Sequence, residues 1–180
     1  VVKLLKGTVP VGIPYLFESL IKAVLQQQVS TSFAFKLMDS FFSYFNYTVP
    51  DKNRVLEQIK NIKGSFGYRL KYLQNICHLD YNMLEKKITE SKEDAISLLT
   101  SIKGVGEWTA RLSIAFYTRD LSLYPISDLG VRRSFGELYF GRRAKEMEVK
   151  MILDSFDAFR GYILYYVLAA DRVKNMGVKI

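Results

Sequence analysis

Two short stretches carry the residue types that could do chemistry. The first is Leu99-Thr100-Ser101-Ile102-Lys103-Gly104-Val105-Gly106-Glu107-Trp108-Thr109-Ala110. It reads as a helix, a tight glycine hairpin and a second helix, the motif covering about 92–118. Gly104 and Gly106 allow positive backbone dihedrals that a side chain would resist. They also leave the amides of Gly104, Val105 and Gly106 uncovered where a helix begins. Such amides, backed by the helix dipole and flanked by the Lys103 cation, form a ready site for a phosphate. The second stretch is Pro125-Ile126-Ser127-Asp128-Leu129-Gly130-Val131-Arg132-Arg133, whose acid sits at the predicted start of another helix. A carboxylate there suits stabilisation of positive charge on a sugar, or activation of water. Taken alone, Ser127-Asp128 would be read as a helix cap. After a phosphate-binding hairpin, it suggests chemistry performed on a nucleic acid.

In this order the residues resemble the helix-hairpin-helix (HhH-GPD) DNA glycosylase superfamily, and within it the alkylpurine, 3-methyladenine type II branch. Three further segments share the likeness: Gln26-Gln27-Gln28-Val29-Ser30, the glycine-then-basic-helix run from Gly64 to Leu73, and Phe159-Arg160-Gly161-Tyr162-Ile163-Leu164-Tyr165-Tyr166. Together they cover Tyr15 to Ala170. The resemblance implies an all-α, two-lobed fold with a DNA-binding cleft between the lobes. It implies a base excision repair enzyme that flips a damaged purine out of the duplex and hydrolyses its N-glycosidic bond. The implied substrates are 3-methyladenine and 7-methylguanine, with hypoxanthine and ethenoadenine as further candidates. Two alternatives stay open: an oxidised-base or mismatch glycosylase of the same fold, and a non-catalytic helix-hairpin-helix DNA-binding protein with no use for Asp128.

Residue by residue, the resemblance implies that Asp128 is the catalytic acid. The lyase branches carry a Lys two residues after the second hairpin glycine, where it forms a Schiff base with the sugar. This chain has Trp108 there, which implies a monofunctional enzyme using water. Trp108 would offer an aromatic face to an electron-poor alkylated purine; the alternative is a core Trp packing the hairpin helices. Leu112 and Leu168 complete the expected base pocket, Leu168 standing where relatives hold a second pocket Trp. Gln28 falls at the minor-groove wedge, a place often apolar in the family; the alternative is a polar helix-end residue. Carbonyls of Thr100, Ile102 and Val105 are implied to hold a monovalent cation, Na+ or K+, that bridges to the phosphate; no other cofactor is expected. Lys103, Arg111, Arg132, Arg133 and Arg69 are candidate supporting cations, and Arg160 is expected to order the Asp128 loop.

The elements that must position these residues are helical. Leu16/Phe17, Leu20/Ile21 and Val24/Leu25 recur at helical spacing, predicting an amphipathic helix ending near Gln28. Further helices are predicted over 32–44, from Asp51 with Val55, Leu56 and Ile59 inward, and over 67–79, 81–89, 92–101, 107–118, 128–139, 144–153 and 155–172. Ser91 and Asp94 resemble a capping box. The chain of 180 residues is read as one catalytic region over 1–180, with the family's extra N-terminal lobe absent. Its 26 basic and 18 acidic residues give a net charge of +8, which favours a polyanionic partner. The expected partner is double-stranded DNA containing damaged bases, bound by a monomer. One cysteine, Cys77, excludes an intramolecular disulfide and a four-thiolate cluster, and one histidine, His78, argues against a His-based metal site. No signal-like start or bilayer-length apolar run is present, so the expected location is intracellular, in the cytoplasm or nucleoid of a prokaryote or the nucleus of a eukaryote.

Overall fold

The structure, a computed structural model, describes residues 5–175. Among the described residues ten α-helices and two 3₁₀ turns form the regular structure, with no strand. Contacts divide the chain into two units, Ile13–Tyr117 and the described parts of Val1–Gly12 with Thr118–Ile180.

In the Ile13–Tyr117 unit, α1 (Leu16–Leu25) is the central element and meets α2 (Thr31–Ser43), α4 (Arg69–Cys77) and α5 (Tyr81–Glu90). Leu16, Leu20, Ile21, Ala23, Val24 and Leu25 are all buried, and so are Glu18 and Ser19, so α1 is enclosed on most of its circumference. The Glu18 carboxylate is offset by Lys22 Nζ at 2.6 Å. Phe41 packs on Phe45 and Phe66 with ring centroids 5.1 and 6.4 Å apart. Each such buried ring contributes about 1.5–3 kcal/mol by leaving water. Helix starts are fixed by short polar caps: Ser30 for α2, Asp51 for α3 (Lys52–Gln58), Asp80 for α5 and Ser91 for α6 (Lys92–Thr100). The last helix of this part is α7 (Glu107–Thr118).

The second unit holds a 3₁₀ turn, Leu121–Leu123, then α8 (Leu129–Tyr139), α9 (Glu146–Asp154), a turn at Asp157–Phe159, and α10 (Arg160–Asn175). Its core is Val131, Phe135, Ala144, Val149, Leu153, Leu164 and Val167, against which Tyr124, Ile126 and Leu168 pack.

Two predicted boundaries are corrected. The first helix stops at Leu25 rather than near Gln28, because Gln28 takes a left-handed φ of 50° that ends any right-handed helix. The run 155–172 is broken, with Asp157 at φ 45° and α10 starting at Arg160. No helix among the described residues is long and apolar enough to cross a membrane. Cys77 is buried and donates to the Leu73 carbonyl at 3.1 Å, and burial pushes its thiol up to about 12. No group of three His, Cys, Asp or Glu residues is placed to hold a metal among the described residues.

Candidate functional site

The hairpin follows the end of α6 at Thr100. Ser101 and Ile102 amides turn back to the carbonyls of Leu98 and Leu99, and the Val105 amide donates to Ile102 at 2.9 Å. Gly104 has φ 98°, and a Cβ there would lie 2.2 Å from the Tyr72 ring, so conformation and space both demand glycine. Gly106 departs from the expectation. It is not among the residues with positive φ, and a Cβ on it would meet nothing within 4 Å. Nothing inside the unit explains its bareness; it is an exposed approach to the start of α7. Val105 is a second correction. Its amide is committed to the turn and its side chain is buried, which leaves Gly104 and Gly106 as the candidate phosphate donors.

Residues far off in sequence brace this turn. Gln27 Nε2 donates to the Gly104 carbonyl at 2.8 Å and to Thr109 Oγ1 at 3.0 Å. Asn75 Nδ2 donates to the Lys103 carbonyl at 2.7 Å. Arg69 Nη2 donates to the Gln27 carbonyl, and the guanidinium lies 4.9 Å from the Tyr68 ring centroid. Gln28, next along, is exposed, its Oε1 accepting from Tyr68 Oη at 3.4 Å. The left-handed backbone at Gln28 thus turns Gln27 inward and Gln28 outward. Tyr72 and Asn75 join the site although the sequence motifs do not single them out. The signal was present, because Arg69, Tyr72 and Asn75 fall three apart and share one face of α4.

Asp128 is the N-cap of α8, Oδ1 accepting from the amides of Gly130 at 2.8 Å and Val131 at 3.1 Å. A Cβ on Gly130 would lie 2.9 Å from that same oxygen, so the glycine keeps room for the carboxylate. Asp128 is half-buried, with exposed Ser127 before it. Burial, and then the charge of Asp128, push the Tyr124 phenol above its ordinary value, keeping it neutral.

Trp108 is half-buried in the first turn of α7, while Leu112, one turn on, is fully buried. Leu168 is half-buried against the core of its own unit. Of the five candidate cations, four are otherwise engaged. Arg69 is buried, Arg132 Nε donates to the Ala144 carbonyl at 3.0 Å, Arg133 pairs with Asp171 at 3.1 Å, and Arg111 pairs with Glu107 at 2.8 Å. Lys103 is exposed. Arg160 does not bond the Asp128 loop; its Nη1 lies 3.7 Å from Asp154. Gly161 packs against the Leu121–Leu123 turn, a Cβ there lying 2.9 Å from the Ser122 amide nitrogen. For a monovalent cation, the Ile102 carbonyl already accepts one hydrogen bond, from the Val105 amide, and keeps a second lone pair. An open groove of about 660 Å³ lies elsewhere, bordered by Tyr15, Phe17, Pro50 and Tyr81, and includes neither hairpin residues nor Asp128.

An all-helical chain with a glycine hairpin between α6 and α7 falls in the helix-hairpin-helix class. The chain belongs to the HhH-GPD superfamily of base excision DNA repair proteins, whose family model matches residues 21–156. It is 25% identical over 174 residues to the DNA-3-methyladenine glycosylase of Bacillus subtilis, covering 87% of this chain and 57% of that protein. To DNA-3-methyladenine glycosylase 1 of Schizosaccharomyces pombe it is 28% identical over 131 residues, covering 68% and 58%. The chain therefore spans a little over half the length of these curated relatives. The solved 3-methyladenine DNA glycosylase of Archaeoglobus fulgidus superposes with a TM-score of 0.73 at 28% identity, over 87% of this chain and 58% of that one. The Schizosaccharomyces pombe enzyme in complex with abasic DNA shares the fold, with a TM-score of 0.76 at 24% identity over 95% and 89%.

Proposed function

We propose that this chain carries the catalytic region of a monofunctional DNA glycosylase that hydrolyses the N-glycosidic bond of alkylated purines in double-stranded DNA. Family membership and relatives named as DNA-3-methyladenine glycosylases support the reaction class. The observation that carries the reading is Asp128, a carboxylate held by two helix-start amides through one oxygen.

The chemistry follows from charge. In 3-methyladenine or 7-methylguanine nucleotides the base is cationic and leaves as a neutral molecule, so its departure needs no strong general acid. Positive charge then builds on the deoxyribose, and a nearby carboxylate stabilises it and orients water toward the anomeric carbon. The glycosidic electron pair leaves with the base, the water oxygen bonds the sugar, and its proton passes to the carboxylate or solvent. Trp108 stacks on the extruded base, with Leu112 backing the helix that carries it and Leu168 as a non-aromatic wall. Gln28 fills the gap in the stack. Gly104, Gly106 and Lys103 bind backbone phosphate, which carries no sequence information. Na+ or K+ on the carbonyls of Thr100, Ile102 and Val105 would add positive charge beside that phosphate. The enzyme acts as a monomer on intracellular DNA.

The test is incubation with duplexes bearing single alkylated, deaminated or oxidised bases, reading free base and strand breaks. The expected result is release of 3-methyladenine and 7-methylguanine, breaks only after alkali, and no borohydride-trapped covalent complex. Binding without release on every lesion would instead assign a non-catalytic DNA-binding protein. A trapped complex would overturn the assignment of Trp108.

A further inference from the structure

A phosphate needs backbone N–H groups that point at it, and a glycine turn is soft enough to point them elsewhere. In a trans peptide the carbonyl of one residue and the amide N–H of the next lie in one plane and face opposite ways. Fixing a carbonyl therefore aims the following amide. In this hairpin two consecutive carbonyls are fixed by side-chain amides from outside the turn. Asn75 takes the Lys103 carbonyl at 2.7 Å, which turns the Gly104 N–H to the opposite side. Gln27 takes the Gly104 carbonyl at 2.8 Å, which turns the Val105 N–H toward Ile102, where it bonds at 2.9 Å. The Tyr72 ring covers the face of Gly104 where a side chain would otherwise project.

From this geometry we infer that Asn75 and Gln27 are positioning residues that aim the hairpin's peptide planes, presenting the Gly104 amide to a DNA phosphate. Gln27 has a second task. It precedes the exposed Gln28, and its own carbonyl is held by Arg69, so the wedge turn and the hairpin share one tie. The pair acts on neither base nor sugar. Its effect is on grip and register, and it rests on the phosphate-binding reading above.

The experiment is an amide NMR titration of the full chain with an undamaged duplex, following Gly104 and Gly106, joined to binding and single-turnover measurements on alkylated duplex. In the wild type both glycine amides shift on adding DNA. In Asn75→Ala and Asn75→Asp, the Gly104 response is lost while Gly106 still responds. Duplex affinity falls about tenfold, the scale of one charge-assisted hydrogen bond. The single-turnover rate at saturating DNA stays within about twofold, since the chemical groups are untouched. Gln27→Ala weakens both glycine responses. Asn75→Gln, whose donor sits one methylene too far out, reproduces the loss and covers the case of a misfolded Asn75→Asp. An unchanged Gly104 response in the Asn75 variants overturns the inference, as does a lowered saturated rate with unchanged affinity. Silent glycine amides in a wild type that binds duplex remove the phosphate reading itself, and this inference with it.

Discussion

Replacing Asp128 separates its capping role from the catalytic role proposed for it. As a cap, its Oδ1 accepts from Gly130 and Val131. Asn at this place also offers an oxygen and ranks with Asp as an N-cap, whereas Ala does not and costs about 1 kcal/mol, up to about 2. Asp128→Ala should therefore lower the thermal midpoint by roughly 2–4 °C per kcal/mol for a chain of this size, and Asp128→Asn should hardly move it. As a charge, the carboxylate is worth about 4 kcal/mol against a developing unit charge about 4 Å away at an effective dielectric near 20. Its loss slows base release by about 10³-fold. The assay is single-turnover release of 7-methylguanine from duplex DNA, beside thermal unfolding of each variant. Asp128→Asn should be fully folded and about 10³-fold slow, and Asp128→Ala equally slow and less stable. Base release by Asp128→Asn within threefold of wild type would refute the catalytic assignment, and equal thermal losses in both variants would refute the capping argument.

The hairpin glycines should respond oppositely to alanine. Gly104→Ala, at φ 98° and against Tyr72, should destabilise by about 1–3 kcal/mol in denaturant titration. Gly106→Ala should change stability by less than about 0.5 kcal/mol yet weaken duplex binding; unchanged binding would mean that no phosphate approaches there. Gly130→Ala should press on Asp128 Oδ1 and lower base release more than it lowers the thermal midpoint. Glu148 is held down to about 2, against an ordinary 4.5, chiefly by hydrogen bonds from Arg142. Because its folded value is depressed, its stabilising effect is present above pH 4.5 and lost as pH falls toward about 2. Arg142→Ala should return the Glu148 titration toward 4.5 by carboxyl NMR and change stability only above the acid window.

Local pattern made the helices legible, because burial of Leu20, Ile21, Val24 or Leu99 leaves its period in the sequence. The caps Asp51, Ser91 and Asp128 were legible for the same reason: the partner amides lie two or three residues on. What failed to show depends on distant partners. Nothing near Gln27 announces that its amide will meet Gly104 and Thr109, 77 and 82 positions away. That capture is where the right-handed helix gives way to the left-handed turn at Gln28. Arg69 reads as a DNA-facing cation, yet it is buried, its guanidinium donating hydrogen bonds to the carbonyls of Gln27 and Phe66. Gly106 reads as a conformational glycine, yet it is exposed, its φ is not positive and a Cβ on it would meet nothing within 4 Å.

In the proposed reaction a negative charge on Asp128 meets positive charge on the sugar of an extruded nucleotide. Two duplexes test it most directly, one with a neutral tetrahydrofuran abasic analogue and one with a protonated pyrrolidine whose nitrogen replaces the anomeric carbon. Wild type should bind the cationic duplex at least about 10²-fold more tightly than the neutral one, and Asp128→Asn should lose most of that preference. A preference that survives in Asp128→Asn, or is missing from the wild type, would rule out this role for the Asp128 charge.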